Sequence, residues 1–179
     1  MLVAMLLASS LATVGAGAMS LAVFTDSKAS TGAWTTGSIV LGVSPDAAFD
    51  ASGIMPGASG TQIIGVTNNG TSQLRYALSS EASDTDGKHL AANMDLVITT
   101  GPVVSGACSG TVVYSGTLYG AGFGSDAPGA DPGDRDVDAG ATENLCFGWS
   151  FPLDAGNGLQ TAATDATFTF ASEQTANNP

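Results

Sequence analysis

The 179-residue sequence predicts an all-β fold, a single antiparallel β-sandwich of jelly-roll type. Three observations carry that expectation. Apolar and polar residues alternate over short runs, as in Gln73–Ser79, where Leu74, Tyr76 and Leu78 share one face. Glycine, proline and asparagine punctuate those runs at short intervals. No segment carries a convincing helical period.

Taken in order, Gly37–Val43 reads as a strand that ends at Ser44-Pro45-Asp46. Ile54-Met55-Pro56-Gly57 is a turn, since proline presets one dihedral and glycine accepts the next. Thr61–Thr67 is a strand closed by Asn68-Asn69-Gly70, whose residues tolerate positive φ. Gln73–Ser79 follows, then a polar loop over Ser83–Asn93 with room for one helical turn. Met94–Thr100, Gly110–Leu118, Glu143–Phe151 and Ala166–Glu173 complete the strands. Residues 120–140 have almost no side chains able to build a core and read as a long, flexible acidic loop.

The balance of charge narrows the function. Sixteen acidic against four basic residues give a net charge of -12. That argues against nucleic acid and anionic membrane surfaces, both of which need cationic patches. The two cysteines, Cys108 and Cys146, are predicted to form one disulfide in an oxidising compartment; two buried free thiols are the alternative.

Residues 1–22 are uncharged and largely apolar, and they end in Ser20-Leu21-Ala22. Small side chains three residues and one residue before a cut suit the shallow pockets of a signal peptidase. The run therefore reads as a signal peptide cleaved between Ala22 and Val23, although it lacks the usual basic start. A retained membrane anchor is the alternative, since about 20 apolar residues span a bilayer. Cleavage would free an extended arm, residues 23–34, carrying Val23, Phe24 and Trp34 ahead of the domain at 35–179. The mature protein is then secreted, extracellular or at the cell surface, with no membrane segment.

In their order along the chain, several blocks resemble the TasA/camelysin family of secreted proteins, exported through a SipW-type signal peptidase. Val23-Phe24-Thr25-Asp26 stands where that family has an aromatic and an acid after the cut, and 34–41 (WTTGSIVL) is similar to its first strand. Met55-Pro56-Gly57 falls on its Pro-Gly turn, Val66–Thr71 on its Asn-Asn-Gly strand end, and Phe168–Thr175 on its closing strand. The resemblance implies a jelly roll and, for the best-known members, biofilm-matrix filaments in which the N-terminal arm of one subunit completes the sheet of the next. Its partner would then be itself, a homopolymer. Two readings of residues 23–34 stand side by side: a donated strand filling an open edge, or the first strand of the chain's own sandwich.

Enzymatic chemistry finds little footing. The camelysin branch implies a metallopeptidase, but the chain has one histidine, His89, and no HExxH motif. No Gly-x-Ser-x-Gly elbow occurs, and neither cysteine has a histidine partner for nucleophilic work. The expectation is a non-enzyme without a cofactor. Alternating Asp134, Asp136 and Asp138, helped by Asp126, Asp131 and Glu143, have the character of a calcium loop, yet glycine comes one position late and the twelfth position is Leu145, so a solvated acidic loop is the first reading. A monomeric surface or carbohydrate-binding module is the functional alternative to a filament. N-terminal sequencing of secreted protein is expected to begin Val-Phe-Thr-Asp; a retained Met1–Ala22 would overturn the cleavage assignment.

Overall fold

The computed structural model describes residues 35–46 and 49–178. The predicted signal peptide, its cut between Ala22 and Val23, and the arm with Phe24 and Trp34 lie outside the described residues. Eleven strands follow one another: β1 (Leu41–Ser44), β2 (Ser59–Asn68), β3 (Leu74–Ala82), β4 (Asp95–Thr99), β5 (Val103–Val104), β6 (Ala107–Cys108), β7 (Val112–Thr117), β8 (Gly122–Phe123), β9 (Arg135–Val137), β10 (Thr142–Ser150) and β11 (Ala166–Gln174). The fold is all-β and its sheet pairings are antiparallel.

One sheet has the order β1-β2-β10-β4-β7. The other has the order β11-β3-β8, with β9 also paired to β3. Because β11 occupies one side of β3 along its whole length, β8 and β9 share the other side, against Leu78–Ser79 and Leu74–Tyr76 respectively. Alternation then decides what is buried. Ile64, Val66, Leu96, Ile98, Leu145 and Phe147 from the first sheet meet Leu74, Tyr76 and Leu78 from the second in one core.

The longer predicted strands all form, within a few residues of their expected ends. The loop expected at residues 120–140 is corrected. Two of its stretches extend the second sheet as β8 and β9, and Ala121, Phe123 and Val137 are buried in the core. Between them, residues 125–134 lie against the outward face of β3, where Arg75 and Ala77 are buried beneath them.

Two local devices set the chain's path. Asn68 is fully buried, and its amide donates to the carbonyls of Ser72 (2.8 Å) and Val137 (3.0 Å) while its Oδ1 accepts the Gly70 N–H at 2.9 Å. A buried amide with its hydrogen bonds satisfied costs little and fixes the β2–β3 turn. A Cβ at Gly70 would lie 2.3 Å from the Ser38 carbonyl oxygen, so only glycine lets the segment before β1 pack on that turn. There Thr71 donates its N–H to Ser38 O (2.8 Å), and Asn69 donates its own to Val40 O (2.7 Å).

The second device is the disulfide Cys108–Cys146, with Cα atoms 5.5 Å apart. Leu145 and Phe147 face the core, so Cys146 faces outward, yet it is fully buried because the β5–β6 hairpin covers it. Gly148, next on that face, leaves room for the Cys108 sulfur, which a Cβ there would meet at 3.3 Å. The bridge spans 38 residues in sequence, and chain-entropy reasoning assigns such a loop about 4 kcal/mol. Urea unfolding with and without reductant is expected to show a lower midpoint for the reduced protein. Coincident midpoints would overturn that assignment.

Candidate functional site

Each sheet has two margins, and they differ in how they are finished. β7 ends the first sheet on one side; its pairing with β4 carries a register shift at Ile98/Thr99, and the chain then leaves it to enter β8, with the Ser80 hydroxyl donating to Leu118 O at 3.3 Å. β1 ends the other side with four residues and is followed by Pro45. On the second sheet, β8 and β9 are stubs of two and three residues.

The fourth margin is unlike these. β11 runs nine residues in unbroken register, from Ala166 opposite Ala82 to Gln174 opposite Leu74, and among the described residues it pairs with β3 alone. Soluble proteins blunt such edges with lysine, proline or bulges, and β11 (ATFTFASEQ) has none of the three. Thr167 and Thr169 are exposed on its outer face, while Phe168 and Phe170 are only half-buried against the core. The Phe168 ring meets Phe147 edge-on at 5.2 Å and Phe49 at 6.4 Å, and Phe170 lies 6.1 Å from Tyr76. Threonine and phenylalanine favour extended backbone, so the sequence itself holds this edge straight.

The C-terminal end of β11 is anchored by charge. Glu173 stands opposite Arg75 in register, 3.4 Å from its Nε, and its carboxylate also accepts the Gly129 N–H and the Asn178 amide (2.7 Å). Arg75 is buried, and one Nη donates to Asn178 O. Its Nε is near Glu173 but makes no hydrogen bond; it borders a cavity of about 40 Å³ lined also by Ser125, Asp126 and Asp134. That space suits a single water rather than an organic ligand.

A second ionic group ties the two sheets together. Glu143 of β10 accepts from Tyr76 Oη at 2.6 Å and from Arg135 Nε at 2.8 Å, and Arg135 Nη2 completes a fork onto its other oxygen. Burial alone would raise the Glu143 carboxyl, but the bonds from Arg135 and Tyr76 outweigh it and hold the group below its ordinary value. Burial, reinforced by Glu143, pushes the Tyr76 phenol well up, so it stays a donor.

The residues singled out in the sequence are placed as follows. Cys108 and Cys146 are joined. Asp134, Asp136 and Asp138 do not converge. Asp134 accepts the Ser125 and Asp131 N–H groups, one on each oxygen and both at 2.9 Å; Asp138 accepts from Gln73 at 2.7 Å; and Asp136 is exposed. Among the described residues no group of three or more His, Cys, Asp or Glu side chains is gathered to hold a metal ion. His89 is mostly exposed and clasps its own loop, with Nδ1 2.5 Å from Asp84. Sequence reasoning placed Arg75 and Tyr76 on a strand and Arg135 and Glu143 beside the acidic loop, but missed the bonds that join them. A lone arginine inside an acidic run was the available signal for Arg135.

No protein-family model matches the chain, and no curated protein matches it significantly. Among the described residues no helix is long and apolar enough to cross a membrane.

Glu143→Gln is expected to cost roughly 2 kcal/mol near neutral pH, since it weakens two charge-assisted bonds and leaves Arg135 without its countercharge. The sign with pH follows from the lowered carboxyl. Its contribution is present above the unfolded-state value of about 4.3 and is lost as pH falls through the lower folded-state value. Urea midpoints of wild type and variant should therefore converge toward pH 2–3, by about the amount expected for one carboxylate. A gap that stays constant with pH would overturn the assignment.

Proposed function

We propose that this chain is a secreted structural protein of jelly-roll type that polymerises into extracellular filaments, the N-terminal arm of one copy adding as a strand to the next. The single observation that carries this reading is the nine-residue, unblunted margin of β11. An added strand there would gain main-chain hydrogen bonds, and its side chains would cover the half-buried Phe168 and Phe170. The arm, residues 23–34, has the matching composition, with Val23, Phe24, Trp34 and threonines. Chain crossings between the two sheets at β2–β3, β3–β4, β7–β8, β9–β10 and β10–β11 support the jelly-roll reading. The disulfide fits an oxidising, extracellular location. The resemblance to the TasA/camelysin family, resting on the blocks quoted above, points the same way, and the role proposed is not enzymatic.

The alternative, a monomeric carbohydrate-binding or surface module, has one feature to stand on. A shallow cleft of about 300 Å³ is lined by Ala92, Asn93, Asp95, Pro152, Asp154, Ala155 and Gly156. No aromatic ring lines it, whereas small-molecule sites are usually built on apolar and aromatic walls. The filament reading is the better supported.

The test is electron microscopy of secreted protein. Filaments are expected from wild type and not from protein lacking Val23–Trp34 or carrying Phe24→Asp, because a charge entering an apolar groove unpaired costs several kcal/mol. Thr167→Lys with Thr169→Lys should also stop growth while changing stability by no more than about 0.5 kcal/mol per site, as exposed substitutions do. Filaments from the arm-less protein would rule out donation, and filaments from the double-lysine variant would move the acceptor away from β11.

A further inference from the structure

We infer that assembly of this protein is gated by ionic strength, because the body of each copy is a polyanion whose few described cations are bonded within it. The inference rests on the strand-addition reading for its assembly half. Its other half concerns the single subunit and stands without that reading.

The arm at 23–34 contains one acid and one base, Asp26 and Lys28, which cancel, so the net charge of -12 belongs to the rest of the chain. Among the described residues the basic side chains are Arg75, Lys88 and Arg135. Arg75 is buried beside Glu173, and Arg135 is forked onto Glu143. Lys88 donates its ammonium to Gln160 O at 2.6 Å and Thr161 Oγ1 at 2.8 Å, which turns it back onto the protein. Among the described residues every lysine and arginine is thus bonded within its own copy. Exposed carboxylates, by contrast, recur along the body: Asp46 and Asp50 follow β1, Asp136 lies on β9, and Asp154 and Asp165 lie between β10 and β11. Their side chains make no hydrogen bond among the described residues.

Two consequences follow from Coulomb repulsion. A high net charge of one sign keeps a protein soluble and monomeric, and it also strains the compact state by self-repulsion. Screening relieves both, since the Debye length falls from about 10 Å at 0.1 M to about 3 Å at 1 M salt. An arm whose side-chain charges cancel, and which carries no more than its terminal ammonium, separates the roles on an anionic body: the arm supplies short-range adhesion without anionic repulsion, and the body sets a long-range barrier that salt removes. The partner is a second copy, and the cation acts as a diffuse atmosphere rather than as a ligand in a fixed site.

The experiment has two arms, both using the secreted full-length mature protein. In the first, filament elongation is followed by light scattering from about 0.02 M to about 1 M NaCl; the rate is expected to rise at least about tenfold, the lower end of electrostatic effects on association. MgCl₂ at matched ionic strength should give a similar curve. In the second arm, the urea midpoint, measured at a concentration too low for assembly, should rise over the same salt range. The variant Asp46→Asn, Asp50→Asn, Asp136→Asn, Asp154→Asn should flatten both responses and grow faster than wild type at low salt. A salt-independent rate would overturn the inference. So would a variant that keeps the wild-type salt slope, or magnesium acting at ionic strengths where sodium does nothing, since that would mean cation bridging. Absence of filaments at every salt concentration would count against strand addition instead, and the urea midpoint then decides the charge inference: a flat response rejects it.

Discussion

The hydrogen-bonded group of Glu143, Arg135 and Tyr76 is the constraint on which the second sheet's margin depends. Glu143 belongs to β10 of the first sheet, whereas Tyr76 and Arg135 are cross-strand neighbours in the second. One carboxylate thus accepts from both strands of a pair across the interior. Half-buried charge costs free energy unless it is matched, and a fork of two N–H donors plus a phenol matches it well. With β9 fixed in this way, the preceding residues 125–134 are held over Arg75 and Ala77, and the arginine in turn aligns Glu173 at the end of β11. The chain that looks loosest in composition is therefore held at both ends, by Phe123 in the core and by Arg135 at the ionic group.

Both sheets have part of their outward face covered by an excursion of their own chain. On the first sheet the β5–β6 hairpin lies over Cys146 and Gly148 and is bonded there by the disulfide. On the second, residues 125–134 lie over Arg75 and Ala77, held by Asp134 to backbone N–H groups and by Gly129 to Glu173. A small β protein with short strands gains buried area this way without lengthening its sheets. Neither excursion pairs with β11, so the covering leaves that margin as it found it.

How much of this the sequence disclosed depends on length. β2, β3, β10 and β11 each run nine or ten residues, enough for period-two alternation to declare them and for the Asn68-Asn69-Gly70 turn to set their spacing. β5, β6, β8 and β9 have two or three residues, too few for any period, and only their pairing partners make them strands. The acidic stretch was misjudged for a related reason. Its bulk composition is that of a solvated loop, but Phe123 and Val137, one near each end, are enough to fasten it to the core. The disulfide was legible from the count of two cysteines. The pairing of Arg135 with Glu143 was not, because an ion pair across an interior is set by which faces the strands present and carries no local sequence mark. The alternating aspartates looked like a ligand set for the opposite reason: residues two apart on an extended strand share a face, but here Asp134 turns its carboxylate to backbone donors and Asp138 to Gln73.

The stitching of residues 38–40 to the 69–72 turn has a geometric consequence. Ser38 and Val40 accept backbone N–H groups from that turn, and Gly70 leaves no slack between them. Residues 38–40 are therefore held at a defined point, beside the β2–β3 crossing. Twelve residues of fully extended chain reach no further than about 40 Å. If the proposed arm bridges two copies, that reach limits how far the acceptor edge of the next copy can lie from this anchored segment.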